Sequence, residues 1–405
     1  MHAIIVGGGI GGLTTALAFE KKGWDVTVLE KAPSYDEIGA GIQISPNGLK
    51  VLQALDITPA STPLLYTKAC YPEFLSMRAG RSGRPIFSVP LARAAQKRWR
   101  GDYIHIHRAD LVATLGKTLS DRAPKALRFG ASVVSYKNAG TRTEGPASVT
   151  LDDGTTLEAD LVIAADGIHS TLRTQMLGPK APRFTGNIAW RATVDTKKLG
   201  PYAPPPGACI WVGPKRHCVT YQLRGGSVTN FVGIVETDQW GSEAWTQKGS
   251  RGDALADFTG WHPSITSLIE LADTHYRWAL FDRPPLARWH DGRVALTGDA
   301  CHPSLPFLAQ GAVMAMEDAY AIAQFCARQP QNIEGALTTY YKFRIQRTAK
   351  AQRAATSNAA LFHRRTLLAQ IATYGPMWLA GKIFPAAIYA RNHHFYNYDI
   401  TKELF

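Results

Sequence analysis

The five cysteines, Cys70, Cys209, Cys218, Cys301 and Cys326, form no Cys-x-x-Cys pair. That removes the thiol spacings of zinc modules and of disulfide exchange, and the cysteines read as reduced thiols of a cytoplasmic protein with no metal site. Zinc-finger, helix-turn-helix and RNA-binding signatures are also missing, so a formal net charge of +13 is not in itself a nucleic-acid footprint. The basic residues are scattered, and steering of a small anionic partner is the more economical reading. The N-terminus has neither the basic segment nor the cleavage site of a leader. Long apolar runs are few. Only residues 367–390 approach membrane apolarity, and Pro376, Lys382 and Pro385 interrupt them. That stretch reads as a C-terminal helical layer or a subunit contact in a monomer or homodimer, not as a span.

What is present describes a folded protein. A hydrophobic content of 45% and a charged content of 19% suit a globular chain. Its 405 residues suffice for two or three packed units. The organising stretch is TGDACHPSLPFLAQGAVMAMED, residues 297–318. It follows a short apolar strand, so Asp299 lies at a strand's carboxyl end, where open α/β sheets bind ligands. Gly298 permits a turn, and Pro303 and Pro306 stiffen the loop. The helix expected after Gly311 points its free N–H groups, from Ala312 onward, back at the same place. A ligand with sugar-like hydroxyls and a group that gains negative charge would satisfy both features. A strand–loop–helix joint with an Asp cap would satisfy them equally.

At the N-terminus, an apolar strand leads into Gly7-Gly-Gly9-Ile-Gly-Gly12, a helix, and a second strand ending at Glu30. This is Gly-x-Gly-x-x-Gly in its strand–helix–strand setting, with an acidic residue at the expected distance. Gly7 makes the tight turn, Gly9 admits a pyrophosphate, and Gly12 allows the helix to approach the strand. Glu30 accepts a ribose 2′-hydroxyl and repels a 2′-phosphate, so the firmly held nucleotide is FAD or NAD and not NADP. The glycine-rich run from Ile38 to Asn47 reads as a chain passing close to a flat ligand. Gln43 in that run can hydrogen-bond but cannot act as a base.

Arg108 stands before a helix, as a cofactor contact or a solvated helix-end charge. Residues 127–136 read as one strand. Asp166, in a strand-to-helix Asp-Gly turn, is either a cap or a cofactor-orienting group. Residues 181–281 alternate like an antiparallel sheet. His217, Val219 and Tyr221 share one face of a strand there. They form either a substrate wall with a proton relay or a satisfied core histidine with a packing tyrosine.

Four segments, GGGIGG with Glu30, HRADL at 107–111, ADGIHSTLR at 165–173 and GRVALTGDACHPSLPFLAQGA at 292–312, resemble the single-component FAD-dependent aromatic hydroxylases. Within that class the chain is most similar to the salicylate hydroxylase and 6-hydroxynicotinate 3-monooxygenase branch, over nearly its whole length. The resemblance implies an α/β fold like that of para-hydroxybenzoate hydroxylase. Its parts are a Rossmann-like, GR2-type FAD-binding domain (1–70, 99–180 and 282–330), an inserted antiparallel substrate domain (71–98 and 181–281) and a C-terminal helical region (331–405).

It further implies that Gly7, Gly9, Gly12, Glu30, Lys31, Gln43, Arg108, Asp166, Asp299, Gly311 and Ala312 hold FAD. Gln43, Cys209, His217, Tyr221, His302 and Pro303 would line the substrate pocket, with His217, Tyr221 and His302 handling protons. NADH or NADPH would visit transiently, and oxygen would be inserted through a flavin C4a-hydroperoxide. Carbon dioxide would be released where the attacked carbon bears a carboxylate. The branch carries a histidine where this chain has Gln43, so a phenol or another hydroxylated heteroaromatic matches as well as 6-hydroxynicotinate. A flavin oxidoreductase that reduces without inserting oxygen is the alternative.

Overall fold

In the computed structural model, described for residues 1–35, 41–138, 145–238 and 246–404, two large sheets face each other. The first has the spatial order His290–Asp291, Val294–Leu296, Leu161–Ala164, His2–Val6, Asp25–Glu30, Leu127–Phe129. All its pairings are parallel except the edge strand His290–Asp291. Parallel strands must be covered on both faces, which explains the unbroken apolar runs. Ala3, Ile4, Ile5 and Leu161 to Ala164 have no exposed surface. Helices Ile10–Glu20 and Gly311–Arg328 pack closely because small residues meet: a Cβ on Gly11 would lie 3.2 Å from the Ala315 Cβ.

The second sheet has eight strands, in the order Thr246–Lys248, Tyr276–Asp282, Arg183–Asp195, Val228–Glu236, Arg216–Leu223, Ala208–Gly213, Phe74–Ala79, Pro85–Pro90. It is antiparallel, as expected, except where Ala208–Gly213 runs parallel to Phe74–Ala79. That exception arises because Phe74–Ala79 enters the sheet from an earlier excursion of the chain and not through a hairpin. Trp190, Trp211, Phe231, Phe258 and Trp261 pack in an apolar cluster with helix Pro263–Leu271 on one side of the sheet. The other side looks toward the first sheet.

One expectation needs correcting, and the helical reading of residues 367–390 holds. Residues 127–136 are not one strand. Gly130, at φ +65°, ends Leu127–Phe129, and Val133–Asn138 starts a separate three-stranded sheet. Residues 367–390 divide between helices Leu367–Ile383 and Pro385–Tyr396. Among the described residues no helix is long and apolar enough to cross a membrane. Leu367, Leu368, Ile371, Leu379 and Ile383 are exposed on the first of these helices, whereas Met377 and Ala380 turn toward the interior.

Helix Gly311–Arg328 is joined to the 30-residue helix Ile333–Phe362 by a buried ionic cluster. Arg344, with no exposed surface, donates to Glu317 at 2.7 Å and to Asp318 at 2.8 Å. Arg347 completes Glu317 at 2.7 and 2.8 Å. The arginines hold Glu317 below the usual carboxylate range against the effect of burial, and His302 with Arg344 holds Asp318 at about 2. Removing one partner from such a buried cluster costs about 3–5 kcal/mol, because charge is left unpaired. Arg344→Met should therefore lower stability in denaturant unfolding by about that amount near neutral pH. A depressed carboxylate stabilises the fold above its unfolded pKa and loses that contribution as pH falls through the folded value. The gap between variant and wild type should accordingly narrow as pH falls from about 4 towards 2.

Candidate active site

A cavity of about 1200 Å³ runs between the two large sheets, from Gly8 and Gly9 to His217 and Tyr221. Its dinucleotide end is built by the first turn of the chain. Gly7 has φ +105°, and a Cβ there would stand 2.5 Å from the Ala165 carbonyl oxygen. A Cβ on Gly12 would lie 1.9 Å from the Gly7 carbonyl oxygen. Both glycines are thus required by backbone packing behind the cavity wall. Gly9 differs: a Cβ there would meet nothing within 4 Å, and it lines the cavity. The Glu30 carboxylate accepts the N–H groups of Gly8 at 2.6 Å and Ala32 at 2.9 Å, which fixes the loop while keeping lone pairs toward the cavity.

In the middle of the cavity the strand Val294–Leu296 delivers Asp299, and Gly298 turns at φ +58°. The Asp299 side chain is accessible from the cavity but ringed by protein. Burial raises its pKa, and His302 and Arg108 oppose the rise. Arg108 opens helix Arg108–Arg122 and faces the cavity, and its side chain makes no hydrogen bond among the described residues. Gly311 and Ala312 begin their helix at the same wall. The first intrahelical bond there is Met314 N–H to the Gln310 carbonyl, so the N–H groups before it are free for a ligand.

At the far end the eight-stranded sheet presents Arg191, Ile210, His217, Tyr221 and Val232. His217 is 1% exposed and edge-on to Phe307 at 5.1 Å. Burial holds its imidazole well below the ordinary value, and the neighbouring His363 adds to this, so it is neutral. The Tyr221 ring lies 4.6 Å from that of His105, and burial raises its phenol against the pull of Arg191. Gly41 belongs to the glycine-rich run, and a Cβ there would strike the Tyr221 ring at 2.4 Å. Gln43 faces the cavity and accepts the Tyr103 hydroxyl at 2.6 Å. Residues Ile38 to Ala40 of the same run lie outside the described residues.

Several expected site residues stand elsewhere. His302 does not line the cavity; its Nε2 pairs with Asp318 and its ring tilts over Trp289 at 5.2 Å. It belongs to the ionic cluster, and its one carboxylate-bound nitrogen is spent there. Cys209 is excluded by strand alternation. Ala208 and Ile210 face the cavity, so Cys209 turns to the opposite side, where Ser76 Oγ lies 3.2 Å from its sulfur. Pro303 is buried outside the lining, its carbonyl accepting Gln352 at 2.9 Å. Lys31 is exposed and not in the lining. Asp166 caps helix Thr171–Leu177, accepting Thr171 N–H at 3.0 Å, while its other oxygen, Oδ1, is buried without a partner. It too is outside the lining.

Sequence reasoning missed Arg191, whose guanidinium lies 4.6 Å over the Trp278 ring and whose Nε is buried without a partner. A lone arginine inside the apolar strand WRATV was the available signal. It also missed His363, which carries no local signal because only the fold brings it to His217.

A dinucleotide cradle opening into a shielded cavity with neutral acid–base groups defines a nucleotide-dependent oxidoreductase. The family model described as "FAD binding domain" matches residues 1–355. The chain is 34% identical to 6-hydroxynicotinate 3-monooxygenase of Pseudomonas fluorescens, over 88% of this chain and 91% of that protein. It is 34% identical to 3-hydroxybenzoate 6-hydroxylase of Klebsiella oxytoca, over 86% of each. The crystal structure of Klebsiella pneumoniae HpxO complexed with FAD and uric acid superposes with a TM-score of 0.82 at 27% identity, covering 97% of each chain. The chain belongs to the FAD-dependent aromatic monooxygenases, with the fold and cofactor its sequence implied.

The residues present fit FAD. Open space over Gly9 and the free N–H groups at the start of helix Gly311–Arg328 are features of the cavity wall that protein packing leaves unexplained. Gly9→Ala should therefore leave thermal unfolding of the apoprotein unchanged while lowering FAD content, read from flavin absorbance after purification. Gly12→Ala should fail on both counts, because its methyl group has nowhere to go.

Proposed function

We propose that this enzyme hydroxylates an anionic aromatic or N-heteroaromatic hydroxy acid, with NAD(P)H and dioxygen as co-substrates. The observation that carries this reading is Arg191, a cation that faces the chamber from a sheet wall otherwise lined by Leu75, Met77, Ile210 and Val232 and by two neutral proton-handling groups. The segments 1–70, 99–180 and 282–330 would bind FAD. The segments 71–98 and 181–281 would supply the substrate wall, with 331–405 closing the cavity from the side. The five free thiols support a cytoplasmic setting.

The roles follow from chemistry. The Arg191 guanidinium pairs with the substrate carboxylate, and stacking on Trp278 limits its orientations. Neutral His217 accepts the ring hydroxyl's proton, which raises electron density at the positions ortho and para to the oxygen. Tyr221 and Gln43 hydrogen-bond the ring substituents. Leu75, Met77, Phe87 and Phe307 exclude water. Bound FAD supplies electron transfer from NAD(P)H and activation of dioxygen. Glu30, Arg108, Asp299 and the N–H groups of Gly311 and Ala312 hold it. The last two also favour negative charge where it develops.

The test is oxygen uptake and product analysis with 6-hydroxynicotinate and 3-hydroxybenzoate, the substrates named for the two relatives. Hydroxylated product formed in proportion to NAD(P)H consumed supports the reading. Peroxide without hydroxylated product would instead mean an oxidoreductase that inserts no oxygen. Arg191→Met should raise the substrate KM by about 10- to 150-fold, the worth of a charged hydrogen bond, with FAD retained. Tyr221→Phe should slow hydroxylation by about tenfold or more with FAD still bound, and an unchanged kcat would remove Tyr221 from the mechanism.

A further inference from the structure

His217 does not end at the cavity wall. Its Nδ1 lies 2.6 Å from Nε2 of His363, the residue closing helix Ile333–Phe362. Nδ1 of His363 in turn lies 3.0 Å from Oε1 of Glu236, the last residue of strand Val228–Glu236. The His363 side chain is 2% exposed and that of Glu236 is 26% exposed, so the chain of contacts leads from a sealed interior to the surface. We infer that His217, His363 and Glu236 form a proton relay that carries the substrate's hydroxyl proton out of the closed cavity and returns it to the product. This rests on the proposed hydroxylation and adds the route the proton takes.

The hydrogen-bond roles are forced from the outer end. The Glu236 carboxylate can only accept, so His363 carries its hydrogen on Nδ1 and presents a lone pair at Nε2. His217 must then carry its hydrogen on Nδ1 to donate to His363. Its Nε2 lone pair remains for the cavity, where an acceptor is needed. Transfer balances step by step. The substrate O–H breaks as an N–H forms at His217 Nε2. The His217 Nδ1–H breaks as one forms at His363 Nε2. The His363 Nδ1–H breaks as an O–H forms on Glu236, which exchanges with water. The reverse sequence protonates the product and restores both tautomers.

The surroundings suit transfer through neutral rings. Phe307 and Phe362 flank His217 at 5.1 and 4.9 Å, which keeps water off the inner step. Burial lowers the His363 imidazole, Glu236 opposes the shift, and Arg365 and Arg216 reinforce it. Arg365 also holds the Glu236 carboxylate at 2.7 Å, which orients it as a terminal acceptor. A merely structural His–His contact would need no carboxylate at the rim and no lone pair on the cavity side.

The experiment is a stopped-flow pH jump on oxidised, FAD-loaded protein carrying 3-hydroxybenzoate, with 6-hydroxynicotinate as a second probe. The ultraviolet absorbance of the bound ring reports its ionisation without any turnover. His363→Gln and Glu236→Gln should each slow ionisation by about tenfold or more near neutral pH. Glu236→Asp should recover part of the rate. In turnover, both glutamine variants should lose kcat at neutral pH and regain it as pH rises, when the probe arrives already ionised. Glu236 sits at the rim, so its variant tests the relay even if His363→Gln does not fold. Wild-type ionisation rates in both glutamine variants overturn the relay and leave the hydroxylase reading intact. Slowed ionisation in a protein that forms no hydroxylated product would keep the relay and overturn that reading. Failure of both probes to bind overturns both.

Discussion

The fold's chemistry depends on one buried guanidinium. Arg344 joins two adjacent carboxylates, Glu317 and Asp318, on the helix that begins at the cavity wall. Each carboxylate then reaches outward to a different part of the site. Asp318 accepts the Gly298 N–H at 3.1 Å and pairs with His302, which fixes the loop carrying Asp299. Glu317 accepts Asn47 at 2.8 Å, and Asn47, Gln310 and Ser45 bond one another in a closed set. That set joins the strand end near Gln43 to the start of the helix at Gly311. A buried ion cluster of this kind adds little net stability over an apolar core, but a half-made one is strongly unfavourable. Its contribution is therefore to geometry: three cavity walls keep one relative placement.

With those walls fixed, the cavity divides by chemistry along its length. Backbone N–H groups and the Glu30 carboxylate occupy the nucleotide end, where a ligand must pass within contact distance of the main chain. Apolar side chains dominate the far end, where a small ring must be held dry, with Arg191 on the sheet wall and Arg391, bonded to Asn358 at 2.6 Å, on the helical wall. The proton-handling groups sit only at that far end, and they are neutral because burial makes their charged forms costly. A neutral imidazole is what a hydroxyl proton needs as its first acceptor. Helices Leu367–Ile383 and Pro385–Tyr396 close the side of the chamber, which neither sheet alone could cover.

Much of this was legible in the sequence, for local reasons. Gly7, Gly9, Gly12 and Glu30 are read by spacing, and the backbone demands on Gly7 and Gly12 hold in three dimensions. His217 and Tyr221 share a cavity-facing strand face because alternation is a property of the strand itself. The same rule excludes Cys209, and applying it to residues 208–213 would have shown that. His302 was misplaced because its carboxylate partner lies 16 residues on, across a loop whose course spacing does not determine. Asp318, Arg344 and His363 were invisible for the same reason: contacts between distant segments leave no periodic trace. Gly130 was read as a residue within a strand, although its positive φ divides two.

Amide hydrogen exchange of the Arg344→Met variant, followed by mass spectrometry, tests most directly whether one cluster sets all three walls. Exchange should rise together in the segments around residues 310–314, where Arg344 also reaches the Met314 carbonyl at 3.3 Å, and around 41–49 and 297–302, which meet the substituted side chain only through Glu317 and Asp318. Faster exchange confined to the packed faces of helices Gly311–Arg328 and Ile333–Phe362, with the two loops unchanged, would contradict the claim.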